Sequence, residues 1–180
     1  MDLSKLESFA VGARQELMRS VSEKIDYAMQ EGNALARLYP QAVKELLDAV
    51  KKSGKDAVVE KTAYVWFNRF CALRFMDVNG YTDSGVVTPP FGGTIPGILA
   101  EARDGNFDEG LFGSNVKERV RNILSGAARE DDPNAAAYRV LFIATCNAWN
   151  ARMPFLFEKL GDWTEILLPD DLLSSNSILA

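Results

Sequence analysis

Histidine is absent from this chain. That removes the usual general base, the usual zinc ligand and every Ser-His or Cys-His nucleophile pair. Hydrolytic chemistry would have to rest on carboxylates, on lysine or on a metal held by oxygen ligands. Cysteine is scarce: Cys71 and Cys146 lie far apart, each inside an apolar helical run, which predicts buried free thiols rather than a disulfide or a metal site. No apolar run is long enough to cross a bilayer and no basic-then-apolar leader opens the chain, so a cytoplasmic protein without membrane contact is expected. No glycine pattern ending in lysine is present to cradle nucleotide phosphates, nor any internal repeat, heptad run or low-complexity segment. Excess positive charge is missing too. Lys and Arg number 20 against 25 Asp and Glu, a net charge of -5. Phosphate contacts supply much of the affinity of DNA-binding modules, which are mostly basic, so only a local basic face stays open for that role here.

What the chain does have is apolar helix. With 180 residues, 47% hydrophobic and 25% charged, it fits one soluble domain over residues 1–180. Its organising stretch is KTAYVWFNRFCALRFMDVNGY, from Lys61 to Tyr81. Tyr64, Val65, Trp66, Phe67, Phe70, Cys71, Ala72, Leu73, Phe75 and Met76 occupy every side of the wheel, and a helix apolar all round is normally buried. Lys61 to Asn79 would span roughly 28 Å, with Asn79-Gly80 as the stop and a start as early as Asp56.

The other elements arrange themselves around it. Leu6, Phe9, Ala13, Leu17, Val21, Ile25 and Ala28 follow three- and four-residue steps and predict an amphipathic helix from Leu3 to Gln30, with Arg14, Arg19, Glu23 and Lys24 largely on its wet side and Gly12 as a weak point. Tyr39-Pro40 opens a second helix that turns Val43, Leu46, Leu47 and Val50 inward and closes at Lys51-Lys52-Ser53-Gly54. Thr82 to Gly113 holds three of the 7 prolines and seven of the 13 glycines, which predicts a long ordered loop with at most a short helix near Pro96 to Arg103. Ser114 or Asn115 caps a helix to about Ala128, with Val116, Val120, Ile123, Leu124 and Ala127 inward. Asp132-Pro133 caps another, Asn134 to about Arg152, nearly as buried as the central one. Pro154 starts a short helix ending at Gly161. Trp163 to Leu168 reads as a strand, a helical turn or an extended segment, and the tail after Pro169 reads like a chain cut before its next element. The fold class is all-α: an irregular multi-helix domain around a buried central helix, with a long Gly/Pro-rich loop.

Three blocks carry a family resemblance. AYVWFNRFCALRFMDVNGY, the opening LSKLESFAVGARQELMRSVSEKIDYAM and the closing MPFLFEKLGDWTEILLPDDLLSSNSIL resemble, in that order, the N-terminal region of the PglX (BrxX) proteins, the adenine-specific DNA methyltransferases of BREX phage-defence systems. The likeness is weakest between Thr82 and Asn134. It implies a parent protein several times longer that uses S-adenosylmethionine to mark host DNA at adenine N6 in a short non-palindromic site, leaving unmarked phage DNA open to restriction. It implies that the catalytic loop and the cofactor fold lie further along, so that this segment holds no cofactor or catalytic residue. Its implied partners are the rest of the methyltransferase chain and, through the full-length protein, DNA and other BREX subunits.

Within the segment, Thr88-Pro89-Pro90-Phe91-Gly92-Gly93 is the nearest approach to a catalytic motif. Amino-methyltransferases that act on adenine carry an Asn/Asp-Pro-Pro-Tyr/Phe loop, whose first side chain and carbonyl take hydrogen bonds from the exocyclic amine while the aromatic stacks on the flipped base. Threonine at the first position lacks the amide or carboxylate geometry, and helix rather than a strand and glycine-rich turn precedes it. A Pro-Gly-shaped turn is the expected role. Asn68, Arg69, Arg74 and Asp77 sit among bulky apolar residues, and buried charges must be paired, with Arg74 and Asp77 placed to meet on one face. The functional alternative gives Asn68 or Arg69 a nucleic-acid or partner contact. Lys117, Arg119 and Arg121 with Arg129 form the best basic cluster; interleaved with Glu118 and Glu130, it reads as a solvated helix face or as a phosphate contact at a helix start. Trp149 and Trp163 are expected in the core rather than as base-stacking platforms, and Glu130-Asp131-Asp132 as a helix-start charge pattern rather than a metal site. The expectation is a scaffold domain that packs on a catalytic core and contacts DNA or a BREX subunit. The alternatives are a stand-alone helical protein-interaction module, and a DNA-binding helical domain acting through Lys117 to Arg129.

Overall fold

Helix accounts for all the regular structure among the described residues, which in the computed structural model are 3–157, 162–174 and 177–179, and none of these lies in a strand. The chain forms two compact units, Met1–Asn68 with Leu160–Pro169 and Arg69–Lys159 with Asp170–Ala180.

In the first unit, α1 (Leu3–Ala28) is unbroken. Gly12 faces open space, with nothing within 4 Å of a Cβ built there, and the helix runs straight through it. Only the C-terminal half of the expected stripe is covered. Leu17, Val21, Ile25 and Ala28 are buried, Ala13 is half-buried and Phe9 is 55% exposed; the Leu6 side chain lies outside the described ones. Arg14 pairs with Glu60 at 2.7 Å, and Arg19 bridges Glu16 and Glu23 along the wet side. Lys24 departs from that side. Half-buried, its Nζ donates to the Leu168 carbonyl at 2.6 Å, because the returning chain offers an acceptor there.

Asn33 then does the work of two caps. Its Nδ2 donates to the carbonyls of Ala28 (3.1 Å) and Gln30 (2.7 Å), closing the end of α1, while its Oδ1 accepts the Ala36 N–H at 2.7 Å. That bond opens α2 (Ala34–Leu38), a helix too short to show a period in the sequence. α3 (Pro40–Ser53) starts at its proline and buries Ala42, Val43 and Leu46. α8 (Asp162–Glu165) gives Trp163 to Leu168 a helical start, and Ile166 and Leu167 join Val21, Ile25, Val43, Leu46, Val58 and Val59 in one apolar core. A short helix from Pro154 was expected: residues 154–157 form turns, and 158–161 lie outside the described residues.

Helix α4 (Lys55–Val78) contributes to both units and starts close to the expected Asp56. It is not buried on every side. Val59, Ala63, Trp66, Phe70, Leu73 and Met76, at three- and four-residue steps, are at most 5% exposed, but Tyr64, Phe75 and Val78 are 58–68% exposed, and Cys71, expected to be buried, is an exposed residue. An apolar wheel marks every side as fit for burial; it does not say that each side has a neighbour within these residues.

The rest of the second unit packs α5 (Gly97–Arg103) and α6 (Ser114–Leu124) against α7 (Pro133–Asn150). Asp132 caps α7 as expected, its Oδ1 accepting the Ala135 N–H at 3.0 Å. Phe142 is the aromatic centre, 5.2 Å from Phe70 and 6.0 Å from Tyr138 between ring centroids. α6 differs from expectation at both ends. Gly113 is its N-cap and no side chain caps it, so Ser114 is already helical; the helix stops at Leu124, leaving Ala127 exposed.

Asn33→Ala removes a cap and leaves two carbonyls without their donor. The expected loss is about 2 kcal/mol of unfolding free energy, measured by urea denaturation; a loss under about 0.5 kcal/mol would show that water replaces the amide at this junction.

Candidate functional site

Residues 82–96 have no helix of their own and depend on two charged side chains at the end of α4. Asp77 Oδ1 accepts the Thr82 hydroxyl at 2.8 Å and the Val86 N–H at 2.9 Å; its Oδ2 accepts the Val87 and Thr88 N–H groups at 2.9 and 3.0 Å. Arg74 does not pair with Asp77, as its position one turn away suggested. It donates through Nη1 to Thr88 Oγ1 at 2.6 Å. The carboxylate is already saturated by backbone and hydroxyl donors, and the guanidinium finds its acceptor further along the same loop.

The loop is fixed from the other side as well. Tyr138 Oη donates to the Val86 carbonyl at 3.0 Å in a fully buried setting. Burial, and secondarily the charge of Asp77, hold the Tyr138 phenol above its ordinary value, so it remains protonated and a donor. Gly97 N–H donates to the Thr88 carbonyl and Ile98 N–H to the Gly85 carbonyl, both at 3.1 Å. This approach needs glycine at both positions: a Cβ at Gly85 would lie 2.3 Å from Thr88 O, and one at Gly97 2.8 Å from Gly85 N. Beyond these clamps the tip, Pro89 to Thr94, is exposed. The Gly93 N–H donates to the Pro90 carbonyl at 2.7 Å, and Phe91 stands fully in solvent at 109% relative exposure.

This geometry bears directly on the Thr88-Pro89-Pro90-Phe91 motif. Binding an exocyclic amine would need the first residue's side chain and carbonyl as acceptors. Here Thr88 Oγ1 accepts from Arg74 and Thr88 O accepts from Gly97 N–H. The loop uses on itself the acceptors that catalysis would require, and what it presents is an aromatic tip.

The remaining candidates are dispersed. Asn68 is half-buried and Arg69 only 1% exposed. Lys117 is 9% exposed and ion-paired with Glu109. The Arg121 guanidinium lies over the Phe107 ring, 5.0 Å from its centroid, while Arg119 and Arg129 are exposed beside exposed Glu118 and Glu130. Trp149 is half-buried with the Arg152 guanidinium 5.1 Å from its ring centroid. Asp132 is committed to capping α7, and among the described residues no group of three or more Cys, Asp or Glu is placed to hold a metal ion. Sequence reasoning missed Asp77 as the anchor of the loop, although a signal was there. A carboxylate in the last turn of a helix opposes the macrodipole, so an acid in that position needs donors from elsewhere.

No family model matches the chain. Two curated relatives do. It is 37% identical over 136 residues to the adenine-specific methyltransferase BrxX of Escherichia coli O9:H4 (strain HS), a match covering 74% of this chain and 11% of that protein. It is 32% identical over 200 aligned residues to the adenine-specific methyltransferase PglX of Lacticaseibacillus casei (strain Zhang), covering 93% of this chain and 16% of that protein. The chain thus spans about a ninth to a sixth of the length of the curated relatives it matches.

Asp77→Ala leaves three backbone N–H groups and a hydroxyl without their acceptor. A loss of about 3 kcal/mol is expected, since hydrogen bonds to charged groups and orphaned buried donors are both in play. Amide exchange at Val86, Val87 and Thr88 is expected to rise well above that of the α7 core; unchanged exchange there would show that Tyr138 and Gly97 suffice to hold the loop.

Proposed function

The chain is a relative of the PglX/BrxX adenine-specific methyltransferases, and we propose from that kinship that it is the N-terminal helical region of a longer, S-adenosylmethionine-dependent DNA adenine-N6 methyltransferase of a BREX phage-defence system. Its own role is scaffold: it packs against the catalytic part of the chain and positions it toward DNA or a second BREX subunit in the cytoplasm. The observation that carries this reading is one of extent. Between 74 and 93% of the chain aligns with proteins of which it makes up 11–16%. Thr88 supports the non-catalytic assignment, because both of its acceptors are engaged within the loop.

A grip on DNA by this region alone is the weaker role. The net charge is -5, and two members of the best basic cluster, Lys117 and Arg121, are occupied by Glu109 and Phe107. Within the Lys117–Arg129 cluster phosphate contact therefore falls to Arg119 and Arg129, with Asn68 and Arg69 inside or near the core. Two exposed arginines give little of the counterion release on which salt-dependent DNA affinity rests.

The source DNA beyond the codon for Ala180 provides the test. The frame is expected to continue into a cofactor-binding sheet and an Asn-Pro-Pro-Tyr loop, and the extended protein to transfer methyl groups from S-adenosylmethionine to adenine in DNA. The present chain alone is expected to transfer none. Methyl transfer by this chain unaided would overturn the scaffold role. A stop codon directly after Ala180 would overturn the methyltransferase reading in favour of a stand-alone partner-binding module.

A further inference from the structure

The second unit carries an apolar strip at the end of α4. Cys71, Phe75 and Val78 follow four- and three-residue steps, so they share one side of the helix. Phe75 is 61%, Val78 68% and Tyr81 62% exposed, and Cys71, its thiol partly buried, is an exposed residue beside them. This is a shaped surface and not a frayed end. The Tyr81 ring tilts against Phe75 with centroids 6.1 Å apart, Tyr81 N–H donates to the Met76 carbonyl at 2.9 Å, and the next residue, Thr82, is tied to Asp77. The opposite side of the same turns, Phe70, Leu73 and Met76, is buried.

Two observations say what covers the strip. The strip itself is apolar, and the exposed cation that flanks it, Arg74, is committed to Thr88 Oγ1 at 2.6 Å, so the strip fits a protein surface better than a nucleic acid. The matched relatives are far longer than this chain, which aligns with 11–16% of their length, so on the functional reading above a longer polypeptide is at hand to supply the neighbour. A helix apolar on all sides belongs in an interior. We propose that the strip of Cys71, Phe75, Val78 and Tyr81 is the seat on which the remaining, longer part of the methyltransferase chain docks. The assignment rests on the functional reading above and adds to it the surface through which the scaffold acts.

Cys71 is a built-in reporter, because it lies in the strip while Cys146 is 1% exposed. Partial burial holds the Cys71 thiol above its ordinary value, so labelling is run at mildly alkaline pH. Maleimide modification of the Cys71 peptide is followed by mass spectrometry in the present chain and in the protein extended past Ala180. Native labelling is expected to slow by about tenfold or more in the extended protein. Val78→Glu is expected to restore it there while leaving the helical ellipticity of the present chain unchanged. An extended protein that methylates DNA yet labels Cys71 as fast as the present chain overturns the docking seat and leaves the methyltransferase reading standing. Protection of Cys71 without methyl transfer supports the seat and counts against the methyltransferase reading. Labelling of the present chain that slows as its own concentration rises assigns the strip to a second copy and overturns the proposal.

Discussion

One carboxylate decides the form of the second unit. Asp77 has two oxygens and four donors on them, three from consecutive backbone N–H groups of Val86, Val87 and Thr88. A segment with so many glycines and prolines has no ladder of its own to satisfy its amides, and buried amides left without acceptors are costly. The carboxylate supplies what a strand or a helix would otherwise supply. Once those three residues are fixed, the Val86 carbonyl meets the Tyr138 hydroxyl, the Thr88 carbonyl meets Gly97 and α5 begins where Gly97 and Ile98 have already been tied back. Remove the acid and the loop loses its register against α7, and α5 loses its start.

That dependence explains the glycines at 85 and 97 better than any appeal to flexibility. Each sits where a Cβ would collide with backbone atoms of the same loop, so both belong to the rigid part. The freedom is spent at the tip, where Phe91 is fully exposed on a turn closed by Pro90 and Gly93. A Pro-Pro-aromatic sequence can therefore look catalytic and still be architecture. The distinction lies in where its acceptors point, which only the hydrogen bonds around Thr88 reveal.

Much of this was legible in the residues. The all-helical class, the boundaries of α3, the cap and proline that open α7 and the short helix inside the Gly/Pro-rich stretch all follow from caps, dipoles and three- and four-residue periods. What escaped was decided by neighbours distant in sequence. α2 is one turn held by the Asn33 side chain, too short to carry a period. Lys24 belongs to the wet side of an isolated wheel, but the carbonyl of Leu168 arrives from far along the chain to accept its ammonium. Arg74 and Asp77 sit at the spacing of an ion pair, yet an ion pair at that spacing contributes only about 0.2–0.5 kcal/mol. Each gains more from loop groups that offer charge-assisted bonds in better geometry.

The same reasoning bears on the central helix. Its wheel shows no polar side, and that uniformity was read as burial on every side. The structure divides it: Phe70, Leu73 and Met76 inward, Phe75 and Val78 in solvent. Apolar sequence with wet side chains is a contradiction only if these residues are the whole of the folding unit. Burying a Phe or Val side chain is worth about 1.5–3 kcal/mol, so a strip of this kind is a standing driving force for association. Among the described residues the strip remains open to solvent. An anchored loop beside an uncovered face on the most apolar helix gives this chain a surface, among the described residues, that gains stability from whatever protein surface covers it.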